Sequence, residues 1–173
     1  WDGMSVETRV HPTFIRCDHP LANVSGSFNA VYLKGHACQE MMFLGRGAGD
    51  MPTASAIVSD LVRAASAQKH LYPTFDNEPI PAVALKKNMD WSCPYYIRLL
   101  AKDTPGVLSQ IAKAFADQGV SIAAMQQKGG QRDGRVPLVF ITHSAHEKAM
   151  QQAIHGIPRE IATMESMIRV EEG

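Results

Sequence analysis

Asp103-Thr-Pro-Gly-Val-Leu-Ser-Gln-Ile-Ala-Lys-Ala-Phe-Ala-Asp-Gln-Gly-Val-Ser-Ile122 is the stretch whose reading decides the fold of this chain. A strand-like run, Tyr95 to Ala101, leads into a short polar turn. Val107, Leu108, Ile111 and Phe115 then recur at helical spacing and make one apolar stripe. Pro105 suits the first helical position, because its missing N–H costs nothing there and its φ is already helical. Thr104, or Asp103 beside it, offers an oxygen to cap an orphan N–H. Gly119 is placed to close the helix, and Val120-Ser-Ile-Ala-Ala-Met125 opens the next strand. The expectation is strand, turn, amphipathic helix, strand. The helix start presents free N–H donors to a carboxylate or other acceptor.

Downstream the pattern continues. Gly129-Gly-Gln-Arg-Asp-Gly134 is turn chemistry, and Arg135 to Thr142 reads as a strand that Pro137 demotes toward an edge or a bulge. A second helix is expected over Ala145 to His155, with Ala149, Met150, Ala153 and Ile154 on one side and Gly156 to stop it. Ala162 to Val170 alternates as a last strand. The order is βαββαβ, an antiparallel sheet with two helices on one face. A core of this size is marginal alone, which favours pairing into a dimer.

Upstream, residues 5–44 read as β-rich. Val6 to Ile15 is strand-like but interrupted by His11-Pro12. Phe28 to Leu33 and Cys38 to Leu44 read as a hairpin turning at Lys34-Gly35-His36. Gly45-Arg-Gly-Ala-Gly49 follows, then a helix over Thr53 to Gln68 with Ala54, Ile57, Val58, Leu61, Val62 and Ala65 on one face. Prolines 73, 79, 81 and 94 mark an irregular connector.

The chain has 173 residues and zero formal net charge, which gives no reason to expect nucleic acid or an anionic membrane as partner. No apolar run reaches the roughly 20 residues that cross a bilayer. Cys17, Cys38 and Cys93 are odd in number and widely spaced, which favours reduced thiols and a cytoplasmic setting. The histidines are scattered without metal-ligand spacing, so no metal is expected, and the methionines read as core or interface filler. The abrupt opening, Trp1-Asp-Gly-Met4, reads as the C-terminal part of something longer.

The motifs carry a resemblance. Asp103-Thr-Pro-Gly106-Val-Leu with Phe115, Gly119, Ser121 and Ile122 resembles the start of an ACT domain, the small regulatory module that binds amino acids. Arg9-Val-His-Pro-Thr13, Asp18-His-Pro-Leu21, Gly26-Ser-Phe-Asn-Ala30 and Gly45-Arg-Gly-Ala-Gly49-Asp-Met-Pro-Thr-Ala-Ser55 resemble the end of the catalytic region of the bacterial homoserine dehydrogenase family. The resemblance implies an α+β organisation. Residues 1–72 would be a partial, β-rich catalytic and dimerisation segment with one long helix, residues 73–93 a linker, and residues 94–173 a ferredoxin-like ACT domain. It further implies an NAD- or NADP-dependent oxidoreductase interconverting aspartate semialdehyde and homoserine, with threonine as effector and a homo-oligomeric state. In that family the Rossmann domain and the catalytic lysine precede the region matching Trp1. The expectation is therefore that this chain holds no catalytic residue, binds the dinucleotide weakly at best, and is inactive alone. The other reading is a stand-alone amino-acid-binding ACT protein.

Two sets of candidate residues follow. Gly45-x-Gly-x-Gly49 is not the G-x-G-x-x-G fingerprint, and by residues alone it reads first as a tight strand-to-helix turn needing positive φ, ahead of a dinucleotide loop. The resemblance places Gly49 and Gly47 against the cofactor, with Arg46 either directed at a phosphate or simply solvated. In the ACT stretch, Asp103 would receive the effector's ammonium and the N–H groups around Gly106 and Val107 its carboxylate, with Ser121 and Ile122 closing the site. Against this stands a plainer role, with Asp103 capping the helix and Gly106 permitting close packing.

Overall fold

The computed structural model describes residues 5–66, 84–85, 90–127, 129–130 and 134–171. In chain order the elements are β1 (Ser5–Val6), β2 (Thr13–Phe14), a 3₁₀ turn (Pro20–Asn23), β3 (Phe28–Gly35), β4 (Gln39–Arg46) and α1 (Asp50–Ser66). Then come β5 (Ala84–Leu85), β6 (Ser92–Cys93), β7 (Tyr95–Lys102), α2 (Val107–Asp117), β8 (Ile122–Gln127), β9 (Arg135–Thr142), β10 (Ala145–His146), α3 (Glu147–His155) and β11 (Ala162–Val170). The chain divides into two compact units, residues 16–82 and residues 1–15 with 83–173.

The second of these units is the expected βαββαβ domain. Its sheet has the order β2-β11-β7-β9-β8, and the neighbours are antiparallel except for β2 on β11. Strict alternation makes one face of the sheet. Tyr95, Ile97, Leu99 and Ala101 of β7 and Val136, Leu138, Phe140 and Thr142 of β9 are buried, while Arg98 and Lys102 between them are exposed. Val107, Ile111 and Phe115 of α2 and Met150 and Ala153 of α3 cover that face. Phe115 meets Phe140 edge-on, with centroids 5.5 Å apart.

Three local expectations are corrected. The first helix of this unit starts at Val107, so Pro105 lies in the turn before it. The second starts at Glu147, because Ala145–His146 pairs instead with Ser92–Cys93. Strand β9 is interior, between β7 and β8. Pro137 lies opposite Leu100 of β7, one place before Leu138, which is the first described register partner of β9 on the β8 side. By backbone contacts residues 1–15 group with the βαββαβ domain, because β2 extends its sheet beyond β11.

The other unit, in its described residues, is a β3–β4 hairpin in regular register from Phe28↔Arg46 to Gly35↔Gln39, followed by α1. Both strands run longer than expected, and the turn is His36–Cys38. Helix α1 begins at Asp50, three residues early, and buries none of its residues. Its expected end at Gln68 and most of the expected linker, 73–83 and 86–89, lie outside the described residues.

Candidate functional site

The turn at Asp103–Gly106 is open by construction. Gly106 occupies the N-cap position at φ 88°, a left-handed conformation that glycine alone adopts freely, and it has no side chain to cap with. Neither Asp103 nor Thr104 replaces it as a side-chain cap, which corrects the capping expectation. Instead the backbone of the turn closes on itself. The Val107 N–H donates to the Thr104 carbonyl at 3.4 Å, and the Asp103 N–H to the Gly134 carbonyl at 3.3 Å. The Asp103 side chain is left exposed beside the positive end of α2. A carboxylate for an ammonium and helix N–H groups for a carboxylate thus stand next to each other, the two requirements of a zwitterionic amino acid.

Ser121 and Ile122 are elsewhere. Asp103 follows Lys102, which pairs with Arg135 at the start of β9, whereas Ile122 pairs with Thr142 at its end. Seven strand positions at about 3.3 Å each separate the two ends by roughly 23 Å. Within one chain, Asp103, Gly106 and Val107 are together and Ser121 with Ile122 is not. The reason is helical. A βαβ unit carries the chain from one end of the sheet to the other, so the start of β8 lies at the foot of α2.

In the Gly45–Gly49 stretch, Gly45 and Arg46 end β4, and Gly47 to Gly49 join it to α1. A Cβ at Gly47 would meet the Asn29 carboxamide, so that exposed side chain would have to turn aside, and the Gly47 N–H donates to the Ser27 carbonyl at 3.0 Å. Gly49 has φ 125°, again glycine backbone. Arg46 is occupied locally. Its Nη1 donates to Ser27 Oγ at 2.9 Å, and its guanidinium lies over the Phe28 ring at 4.8 Å. Asp50 places a carboxylate in the first turn of α1, which opposes a phosphate at that helix start. The loop therefore suits close backbone approach by an uncharged portion of a cofactor better than by its pyrophosphate.

One cluster that sequence reasoning missed surrounds Glu147, only 1% exposed. Burial alone would push its carboxyl up. Donors from Gln151, Tyr95 and Arg169 outweigh that and hold it below its ordinary range. Burial, with Cys93 and Glu147 beside it, pushes the Tyr95 phenol well above its ordinary range. A glutamate opening a helix gives no signal in sequence that an arginine 22 residues later will meet it.

Comparisons with known proteins agree with this layout. Residues 3–62 match the homoserine dehydrogenase family model, and residues 95–159 match the ACT domain model. A homoserine dehydrogenase from Neisseria gonorrhoeae is 39% identical over 161 residues, 90% of this chain and 37% of its own length. One from Corynebacterium glutamicum is 33% identical, over 96% of this chain and 38% of its own length. The solved homoserine dehydrogenase from Thiobacillus denitrificans superposes with a TM-score of 0.78 at 36% identity, over 96% of this chain and 39% of that one. The chain thus spans well under half the length of these relatives. Among the described residues no helix is long and apolar enough to cross a membrane. By these matches, the chain carries a homoserine dehydrogenase family segment at residues 3–62 followed by an ACT domain at residues 95–159.

Proposed function

We propose that this chain is the C-terminal portion of a homoserine dehydrogenase, the NAD- or NADP-dependent enzyme that interconverts L-aspartate 4-semialdehyde and L-homoserine, and that its ACT domain binds threonine as effector. The observation that carries the effector reading is the exposed Asp103 carboxylate beside the uncapped start of α2. In the family segment, the backbone of Gly47 and Gly49 borders the cofactor, which supplies the hydride when bound. Arg46, held by Ser27 and Phe28, shapes the loop and leaves phosphate recognition to other parts of the enzyme. We infer that residues 1–173 alone turn over no homoserine.

The effector site is shared by two copies. Strand β8 is a sheet edge, and Ala123 to Gln127 are exposed along it. Antiparallel pairing of two such edges about a two-fold axis sets the Ser121 end of one copy against the Asp103 end of the other. Asp103, Gly106 and Val107 of one copy then face Ser121 and Ile122 of its mate. Calorimetry with L-threonine, run beside a measurement of oligomeric state, tests this. Binding by a dimer is expected, and threonine at about 100 times its Kd would add roughly 2.7 kcal/mol of stability. A stable dimer that takes up no threonine, methionine, serine or lysine would sink the effector reading.

A further inference from the structure

Two segments, residues 9–14 just before the boundary at Arg16 and residues 91–94, are fastened to one end of the ACT domain by the same few side chains. Glu147 Oε1 accepts from Arg169 Nη2 at 2.7 Å and from Gln151 Nε2 at 2.8 Å. Its Oε2 accepts from Arg169 Nε at 3.0 Å, the Tyr95 hydroxyl at 2.8 Å and Trp91 Nε1 at 3.2 Å. The Glu147 N–H donates to the Trp91 carbonyl at 2.9 Å. Trp91 also has two guanidiniums over its ring, Arg9 at 5.5 Å and Arg169 at 5.9 Å. Arg169 in turn is the register neighbour of Thr13 on β2. The Phe14 carbonyl accepts from the Glu171 N–H, and the Pro94 carbonyl from the Val170 N–H, both at 2.9 Å.

The apolar core between sheet and helices has no need of this charge. Buried ion pairs contribute little net stability compared with apolar replacements, and their best-attested use is to fix one geometry. Here the segments so fixed are residues 9–14, which lead into the other unit at Arg16, and residues 91–93, just before β7. We propose that Glu147, Arg169 and Trp91 form a clamp that holds residues 9–14 and 91–93 against the ACT domain and carries its state to the dehydrogenase segment. The transmission half of this rests on the effector reading above; the clamp itself does not.

Hydrogen exchange on the chain tests the clamp. The variants Glu147→Gln, which removes the charge, and Trp91→Phe, which removes the indole N–H and trims the ring under Arg9 and Arg169 to a phenyl, serve together, so that a misfolded first variant leaves the second informative. Exchange at residues 13–16 and 90–94 should accelerate about tenfold or more while α2 keeps its protection. Unchanged exchange at those residues, or equal acceleration throughout the domain, overturns the clamp. In the full-length enzyme, threonine should still bind Trp91→Phe with wild-type affinity while its effect on turnover drops at least severalfold. Binding and response falling together, or an undiminished response, overturns the transmission. A wild-type enzyme that binds no threonine refutes the effector reading and with it the transmission, while the exchange result still decides the clamp.

Discussion

The two units use apolar residues to opposite ends. In the ACT unit, Ile97, Phe115, Phe140 and Met150 are fully buried against one another. In the described part of the other unit, no comparable residue is buried. Phe43 is 58% exposed and Leu61 64%, and the hairpin is apolar on both faces, with Val31, Leu33, Met41 and Phe43 on one and Ala30, Tyr32, Met42 and Leu44 on the other. Strands apolar on both faces belong inside a layered protein. The ACT sequence contains the partners of its own core, and in the proposed enzyme the hairpin and α1 find theirs in the remainder of the catalytic region. Periodicity says which face of an element is apolar, and only the rest of the chain says what covers it.

The sharpest break between the units comes from truncation. Phe140→Ala should cost about 3–5 kcal/mol, a large part of the roughly 5–15 kcal/mol a small domain possesses. Denaturant unfolding of the ACT unit would show it as an earlier midpoint with an unchanged slope. A loss under 1 kcal/mol would mean that the sheet–helix interface is not the core.

Next in size is the Glu147 cluster. Glu147→Ala leaves Arg169 largely buried without its partner, at a cost of about 3 kcal/mol. Its pH signature has a definite sign. Because folding holds the carboxyl below its ordinary value of 4.5, the unfolded chain binds more protons as pH falls through that window. The stabilisation is complete above the ordinary value and is lost as pH drops through the depressed one. Thermal melts in that range should show a steeper acid limb in the wild type than in Glu147→Gln, and equal limbs would contradict the assignment.

Gly106→Ala should cost about 1 kcal/mol, purely from the left-handed backbone, since a Cβ there has open space around it. Chemical denaturation gives the stability and calorimetry the threonine affinity. The smallest effect is expected for Phe43→Ser, within about 0.5 kcal/mol in this chain because the ring is uncovered. The same substitution in the full-length enzyme should be several times more costly, and equality between the two would contradict a covered hairpin.

Much of this was legible in the residues. The stripe Val107-Ile111-Phe115, Gly119 at φ 69° and the alternation of β7 and β9 announce the βαββαβ order, because periodicity over eight or more residues averages out local exceptions. Two-residue strands have no period, so the docking of Thr13–Phe14 on β11 and of Ser92–Cys93 on Ala145–His146 was invisible. Pro137 misled because proline removes a donor on one side of a strand only, and the sequence does not show which strands flank it. Asp103 and Gly106 were placed correctly at the helix start, while Ser121 and Ile122, close in sequence, sit a helix length away. The Glu147 cluster joins residues from 91 to 169 and exists only once the sheet has formed.

The difference between the units is tested most directly by native-state hydrogen exchange resolved along the chain. Amides of β7, α2 and β9 should exchange at least about a thousandfold more slowly than those of β3, β4 and α1, the signature of one region with its own core and one without. Equal protection in both regions would contradict the account, because it would mean that residues 28–66 already own a core in this chain.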